Sequence, residues 1–198
     1  MAADQALSFD VITADGNYVT ANAKSNADLF WALKGGGPST FGIVTSVTVK
    51  TFPETIAAGT IIDINSTHTT DSELFWKAVE AFHELSNLYV DNGMFVYYEL
   101  MELRLHIKPF VAPNMDAKKL KATLKPLFDR LDALAVPYDT STKEFNTFFD
   151  LYTDLFDDED AGGNVQIGGR FFTKRDIAEF SKEQVAAMRV AANPRVWS

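Results

Sequence analysis

The sharpest chemical signal in the chain is a glycine-rich turn. Gly35-Gly36-Gly37-Pro38-Ser39-Thr40 runs directly into Phe41-Gly42-Ile43-Val44-Thr45-Ser46-Val47-Thr48-Val49. Consecutive glycines permit backbone dihedrals and close approaches that a Cβ forbids, so main-chain N–H groups can meet phosphate oxygens. No Lys-Ser/Thr pair follows at P-loop spacing. The glycines follow a helical pattern and precede a strand pattern, the reverse of the dinucleotide-binding fingerprint. On loop chemistry alone, a tight connection and a phosphate-ligand site stand equal. Other chemistry is sparse. His68, His83 and His106 are far apart and have no metal-ligand partner at useful spacing. His83 reads as a partly exposed residue on a helix. With no cysteine, disulfides, thiolate zinc sites and Cys nucleophiles are excluded from this chain. No spacing marks a Ser-His-Asp arrangement. Asp157-Asp158-Glu159-Asp160, followed by Ala161-Gly162-Gly163, reads as a solvated loop, and Asn65-Ser66-Thr67 is a glycosylation sequon.

These residues must be positioned by the elements around them. Phe9 to Thr20 has the pattern of a hairpin with Asp15-Gly16 at its turn. A short helix follows, capped at Ser25 or Asn26, with Leu29, Phe30 and Leu33 as its apolar stripe and Gly35 as its stop. Phe30 and Trp31 read as core. The β-branched run after Phe41 is a strand, ended by Phe52-Pro53. Thr60 to Ile64 is a strand and Asp71 to Leu88 an amphipathic helix with Phe75, Val79, Phe82 and Leu85 on one face. Met94 to Glu99 and Leu103 to Phe110 are paired strands after an Asn92-Gly93 turn. In the second, Arg104, His106 and Lys108 alternate with apolar residues, so one face is wet or lines a site. Asp116 to Leu134 and Lys143 to Phe156 are expected helices, Asn164 to Phe172 a strand, and Asp176 to Ala192 a last helix with Asp176 as its cap.

Strands and helices mixed with antiparallel hairpins give an α+β class. The division falls near Phe52-Pro53-Glu54, into a piece of residues 1–55 and a piece of residues 56–198. The first is too short to bury a stable core alone. The 198 residues, 46% hydrophobic and with 16 Phe, suit a folded chain rather than a disordered one. A net charge of -9 repels nucleic-acid phosphates. No window approaches a membrane span. The opening Met1-Ala2-Ala3-Asp4-Gln5 shows neither the basic region nor the apolar core of a signal peptide. Nothing in the sequence fixes the oligomeric state.

Three stretches carry a resemblance: Val11-Ile12-Thr13-Ala14-Asp15-Gly16, then Asn26-Ala27-Asp28-Leu29-Phe30-Trp31-Ala32-Leu33-Lys34-Gly35-Gly36-Gly37, then Thr40-Phe41-Gly42-Ile43-Val44-Thr45. Together they resemble the end of the PCMH-type FAD-binding domain of the vanillyl-alcohol-oxidase/berberine-bridge-enzyme superfamily, in its fungal flavour. The match is densest over residues 2–53. Beyond, Ile167-Gly168-Gly169-Arg170-Phe171-Phe172 resembles a strand of the substrate domain.

The resemblance implies FAD as cofactor and a small organic substrate, with hydride transfer to the flavin and O₂ as acceptor. It implies an incomplete α/β substrate domain whose antiparallel sheet is flanked by helices. It assigns the ADP side of the cofactor to Gly35, Gly36, Gly37, Gly42, Ile43 and Val44, with hydroxyl donors from Ser39 and Thr40. Pro38 stands where many relatives have a fourth glycine, which removes one N–H donor. Tyr97, Glu99, Arg104, His106 and Arg170 become possible cavity-wall residues, with ordinary strand surface as the plainer reading. The family's first diphosphate loop and its usual catalytic base have no counterpart here, so no catalytic residue is assigned. A truncated piece of an oxidase is expected, and the alternative is a non-catalytic module that does not bind FAD on its own. Full-length relatives are often secreted.

Overall fold

A computed structural model describes residues 2–37, 40–65, 71–101, 103–157 and 168–192. Contacts divide the chain into two units, Met1–Pro53 and Glu54–Ser198.

In the first unit a 3-10 turn, Ala2–Gln5, leads into β1 (Ala6–Ile12), β2 (Tyr18–Asn22), α1 (Ala27–Gly36) and β3 (Ile43–Val49). The sheet order is β2-β1-β3, with both pairings antiparallel. The Asp-Gly signal works as expected: Gly16 has φ 82°, its N–H bonds Thr13 O, and Thr13 N–H bonds Asn17 O. A register shift opposite Asp10 and Val11 marks a bulge in β3 at Thr45. In α1, Leu33 is buried and Phe30 packs on Phe9, with ring centroids 5.8 Å apart. Trp31 is 80% exposed, which corrects its reading as core. It lies about 100° around the helix from Phe30, off the stripe of Phe30 and Leu33. Asn26 sits at the N-cap in a left-handed conformation, and its side chain makes no cap bond; its amide donates instead to Thr20 O.

The second unit contains β4 (Ala57–Asn65), α2 (Ser72–Glu84), α3 (Ser86–Asp91), β5 (Phe95–Met101), β6 (Arg104–Pro113), α4 (Ala117–Ala133), β7 (Asp139–Phe145), α5 (Phe148–Leu155) and α6 (Lys174–Ala191). Its antiparallel sheet has the order β5-β6-β4-β7. One face carries Ala58, Ile62, Ile64, Leu105, Ile107 and Phe110 into a core with α2 and α4. Helix α2 presents Phe75, Val79 and Phe82 at i, i+4 and i+7, and α4 presents Leu120, Leu124, Leu127 and Leu131. Each of these leucines is fully buried, worth about 2 kcal/mol in removal from water. The opposite face carries Ala57 and Val111 against Leu151 and Leu155 of α5. Gly59 lies beneath that helix, and any side chain there would collide with Leu155 and Leu151.

Several sequence expectations are corrected. Lys143 to Phe156 is not one helix: β7 ends at Phe145 and α5 starts after Thr147, whose hydroxyl accepts from Asp150 N–H. The β-branched alternation of Thr140 and Thr142 favours the strand. The long helix from Asp71 breaks at Leu85 into α2 and α3. Asp71 does cap α2, accepting from Glu73 N–H at 2.8 Å. The last helix starts earlier than expected: Thr173 is its cap, and Asp176 is the third residue of a reciprocal capping box. Phe180 interrupts its helical dihedrals and marks a kink. Residues 164–167 of the expected strand lie outside the described residues, and Gly168 to Phe172 has no strand pairing. His68, Ser66, Thr67 and residues 158–160 also lie outside. No described helix is long and apolar enough to cross a membrane.

Candidate functional site

The glycine turn departs from its expected form. Gly35 and Gly36 complete the last turn of α1, so only Gly37 is left to cap it. Gly37 has φ 80°, a left-handed conformation suited to glycine, and its N–H bonds Leu33 O at 3.3 Å. A Cβ on Gly35 or Gly37 would meet nothing within 4 Å, whereas one on Gly36 would fall 2.7 Å from the Phe41 ring. Pro38 and Ser39 lie outside the described residues. Thr40 is exposed in a bend. At Gly42 a Cβ would stand 2.7 Å from Val11 Cγ1 and 2.8 Å from Ile12 O, so β1 demands glycine there. Val44 is half-buried opposite Val11, while Ile43 is 67% exposed opposite Ile12. Among the described residues, Gly35, Gly36 and Gly37 thus belong to the end of α1, and Gly42, Ile43 and Val44 to the entry of β3, with the Ile43 side chain exposed.

The second unit holds a groove of about 910 Å³ on the α5 face of its sheet. Helix α5 covers one end of that face and leaves the other open. Phe95, Tyr152, Leu155 and Phe156 form an aromatic and aliphatic wall. Phe95 and Phe156 stack at 6.0 Å, and Tyr152 and Phe156 at 4.8 Å. Glu99, His106, Lys108 and Asp157 supply polar groups, and Lys108 Nζ bonds Asp157 Oδ1 at 2.6 Å. Tyr97 completes this floor.

Strand register explains the polar row. Glu99 on β5 faces His106 on β6, which faces Asp63 on β4. His106 Nδ1 lies 2.6 Å from Asp63 Oδ2. Arg104 grips the same carboxylate, with Nε 3.0 Å from Oδ2 and 3.2 Å from Oδ1. Burial pushes Asp63 up, but the hydrogen bonds and charges of Arg104 and His106 outweigh it and hold the carboxyl below its usual value. The ion pair with Asp63 in turn raises Arg104.

Of the five wall residues expected, Tyr97, Glu99 and His106 line the groove. Arg104 does not line it but contacts Asp63 and His106, and Arg170 is exposed outside it. Asp63 was missed, although a lone carboxylate inside Ile61-Ile62-Asp63-Ile64 is an unusual strand residue and a usable signal. Tyr152 and Phe156 carry no such signal, because their stretch reads in sequence as part of a single helix.

His83 lies elsewhere and corrects its reading as a surface residue. It is 4% exposed on α2, with its ring against Phe82 and Tyr98, and Nε2 has no hydrogen-bond partner among the described residues. Burial pushes it down from 6.5 to about 4.

No protein-family model matches the chain. It is 35% identical over 196 residues to an FAD-linked oxidoreductase of Gibberella zeae, covering 96% of this chain and 34% of that protein. Its fold matches a VAO-type flavoprotein of Myceliophthora thermophila with a TM-score of 0.78 and 25% identity, over 96% of this chain and 35% of the other. A xylooligosaccharide oxidase of the same fungus, solved with xylobiose, matches with a TM-score of 0.54 and 28% identity, over 74% of this chain and 29% of the other. The chain thus spans about a third of the length of the curated relatives it matches.

Proposed function

We propose that the chain belongs to the vanillyl-alcohol-oxidase/berberine-bridge-enzyme superfamily of FAD-linked oxidoreductases and contributes part of the flavin site and part of the substrate site of an FAD-dependent oxidase. The observation that carries this reading is the joint match, in sequence and in fold, along 96% of the chain. Residues 1–55 are the C-terminal part of the FAD-binding domain in this reading, and residues 56–198 part of the substrate domain.

The residues present fit a flavin dinucleotide. Open space at Gly35 and Gly37 lets a ligand approach the backbone at the end of α1, where the Gly37 N–H is itself bonded to Leu33 O. The Gly42 position, which β1 closes to any side chain, keeps the start of β3 flat beside them. Exposed Ile43 offers an apolar contact. Gly35, Gly36, Gly37, Thr40, Gly42, Ile43 and Val44 would hold the ADP side, with Ser39 beside them in sequence. FAD held there would supply the hydride-accepting chemistry, with O₂ as the proposed final acceptor. The chain's own residues then bind and orient a small organic substrate: aromatic walls at Phe95 and Phe156 exclude water, while Glu99, His106 and Lys108 provide polar anchors.

The test is peroxide formation in air by the purified chain supplied with FAD, over a panel of alcohols and short oligosaccharides. Turnover that depends on both FAD and substrate is expected. A folded chain that neither retains FAD nor forms peroxide would support the second reading, a non-catalytic module that does not bind FAD on its own.

A further inference from the structure

The row Glu99–His106–Asp63 fixes which nitrogen of His106 faces the groove. Asp63 Oδ2 lies 2.6 Å from Nδ1. An ionised carboxylate only accepts, so Nδ1 must carry the proton, and in a neutral ring Nε2 then carries the lone pair. Arg104 Nη2 also lies 3.4 Å from Nδ1, but that contact is long, and a lone pair on Nδ1 would face the carboxylate at close range. The carboxylate cannot turn away, because both its oxygens are engaged by Arg104.

We propose that His106 presents Nε2 to the groove as an acceptor for a ligand hydroxyl hydrogen, and that Asp63 and Arg104 are the positioning residues that hold this tautomer. The proposal rests on the reading of this groove as the substrate face and deepens it: the ligand is a small alcohol with an aromatic or other flat apolar body. The aromatic wall of Phe95, Tyr152 and Phe156 receives the body. The acceptor takes the hydroxyl. Orientation of a histidine through a carboxylate on its far nitrogen is a general device for fixing tautomer and basicity.

The experiment uses the whole 198-residue chain without flavin, so its failure is separate from failure of the FAD reading. Imidazole nitrogens are followed by two-bond ¹⁵N–¹H correlation at about pH 8, above the ordinary imidazole range. His106 is expected to show the Nδ1-protonated pattern. Benzyl alcohol should move the Nε2 signal, and toluene, its hydroxyl-free analogue, should not. Asp63→Asn should mix the tautomers and weaken benzyl alcohol about fivefold, the worth of one hydrogen bond. His106→Phe should keep the aromatic wall and leave benzyl alcohol no better than toluene. The proposal is overturned if wild-type His106 carries its proton on Nε2. It is equally overturned if benzyl alcohol and toluene act alike on the wild-type chain. Both wild-type readings stand even where a variant fails to fold.

Discussion

A buried imidazole whose Nε2 has no partner among the described residues is a proton-linked weakness, and His83 is that residue. Its folded value of about 4 lies below the unfolded value of 6.5. Between these pH values the unfolded chain takes up a proton that the folded chain refuses. Stability is therefore lost as pH falls from 6.5 toward 4, by about 3 kcal/mol in all, and is unaffected by this group above 6.5. Replacing His83 with Phe should remove this component. Urea titrations at steps across that window should show a flatter pH dependence in the variant than in the parent, and equal slopes would refute the assignment. The position was legible: His83 is four residues after Val79 and eight after Phe75, on the buried stripe of α2. Residue type argued for the surface, and spacing, which sets the face, won. Asp63 was not legible as a partner of His106, because 43 residues separate them and only strand register brings them together.

At the scale of elements, helix α5 depends on the absence of a side chain at Gly59. Gly59→Val would press on Leu155 and Leu151, an overpacking cost of about 1–3 kcal/mol. Amide exchange in α5 should quicken while α4 keeps its protection. Uniform quickening, or none, would contradict a local role. Helix α4 tests the capping argument separately. Asp116 accepts from Lys119 N–H at 2.6 Å, so Asp116→Ala should cost about 1 kcal/mol, read as a lower midpoint in urea. Local patterns announced these elements well where one face is apolar, as in α2 and α4. They misled where the element is thin and polar. Strand β7 is largely exposed, so its Thr-Ser-Thr alternation carries no hydrophobic period, and its identity comes from pairing with β4. The glycine turn shows the same limit: three glycines suggest a loop, yet two continue α1, since helical dihedrals are open to glycine at a modest cost.

At the scale of the whole molecule, the sequence signals that pointed to a family were those of the first unit, where a turn, a helix and a glycine-rich strand entry occur in order. The groove of the second unit was visible only as an alternation in β6, because its wall comes from β5, β6 and the α5 end together. A functional site assembled from distant strands is a property of topology and leaves few marks in local composition. If this chain carries part of a flavin site, it should retain FAD through separation, which size-exclusion of the purified chain after incubation with FAD reads out, with absorbance recorded across the protein peak. Flavin bands should travel with folded wild-type protein and be diminished in Gly35→Val, where the added side chain meets open space within the chain and obstructs only an approaching ligand. A folded, colourless wild-type peak at saturating FAD would contradict that expectation.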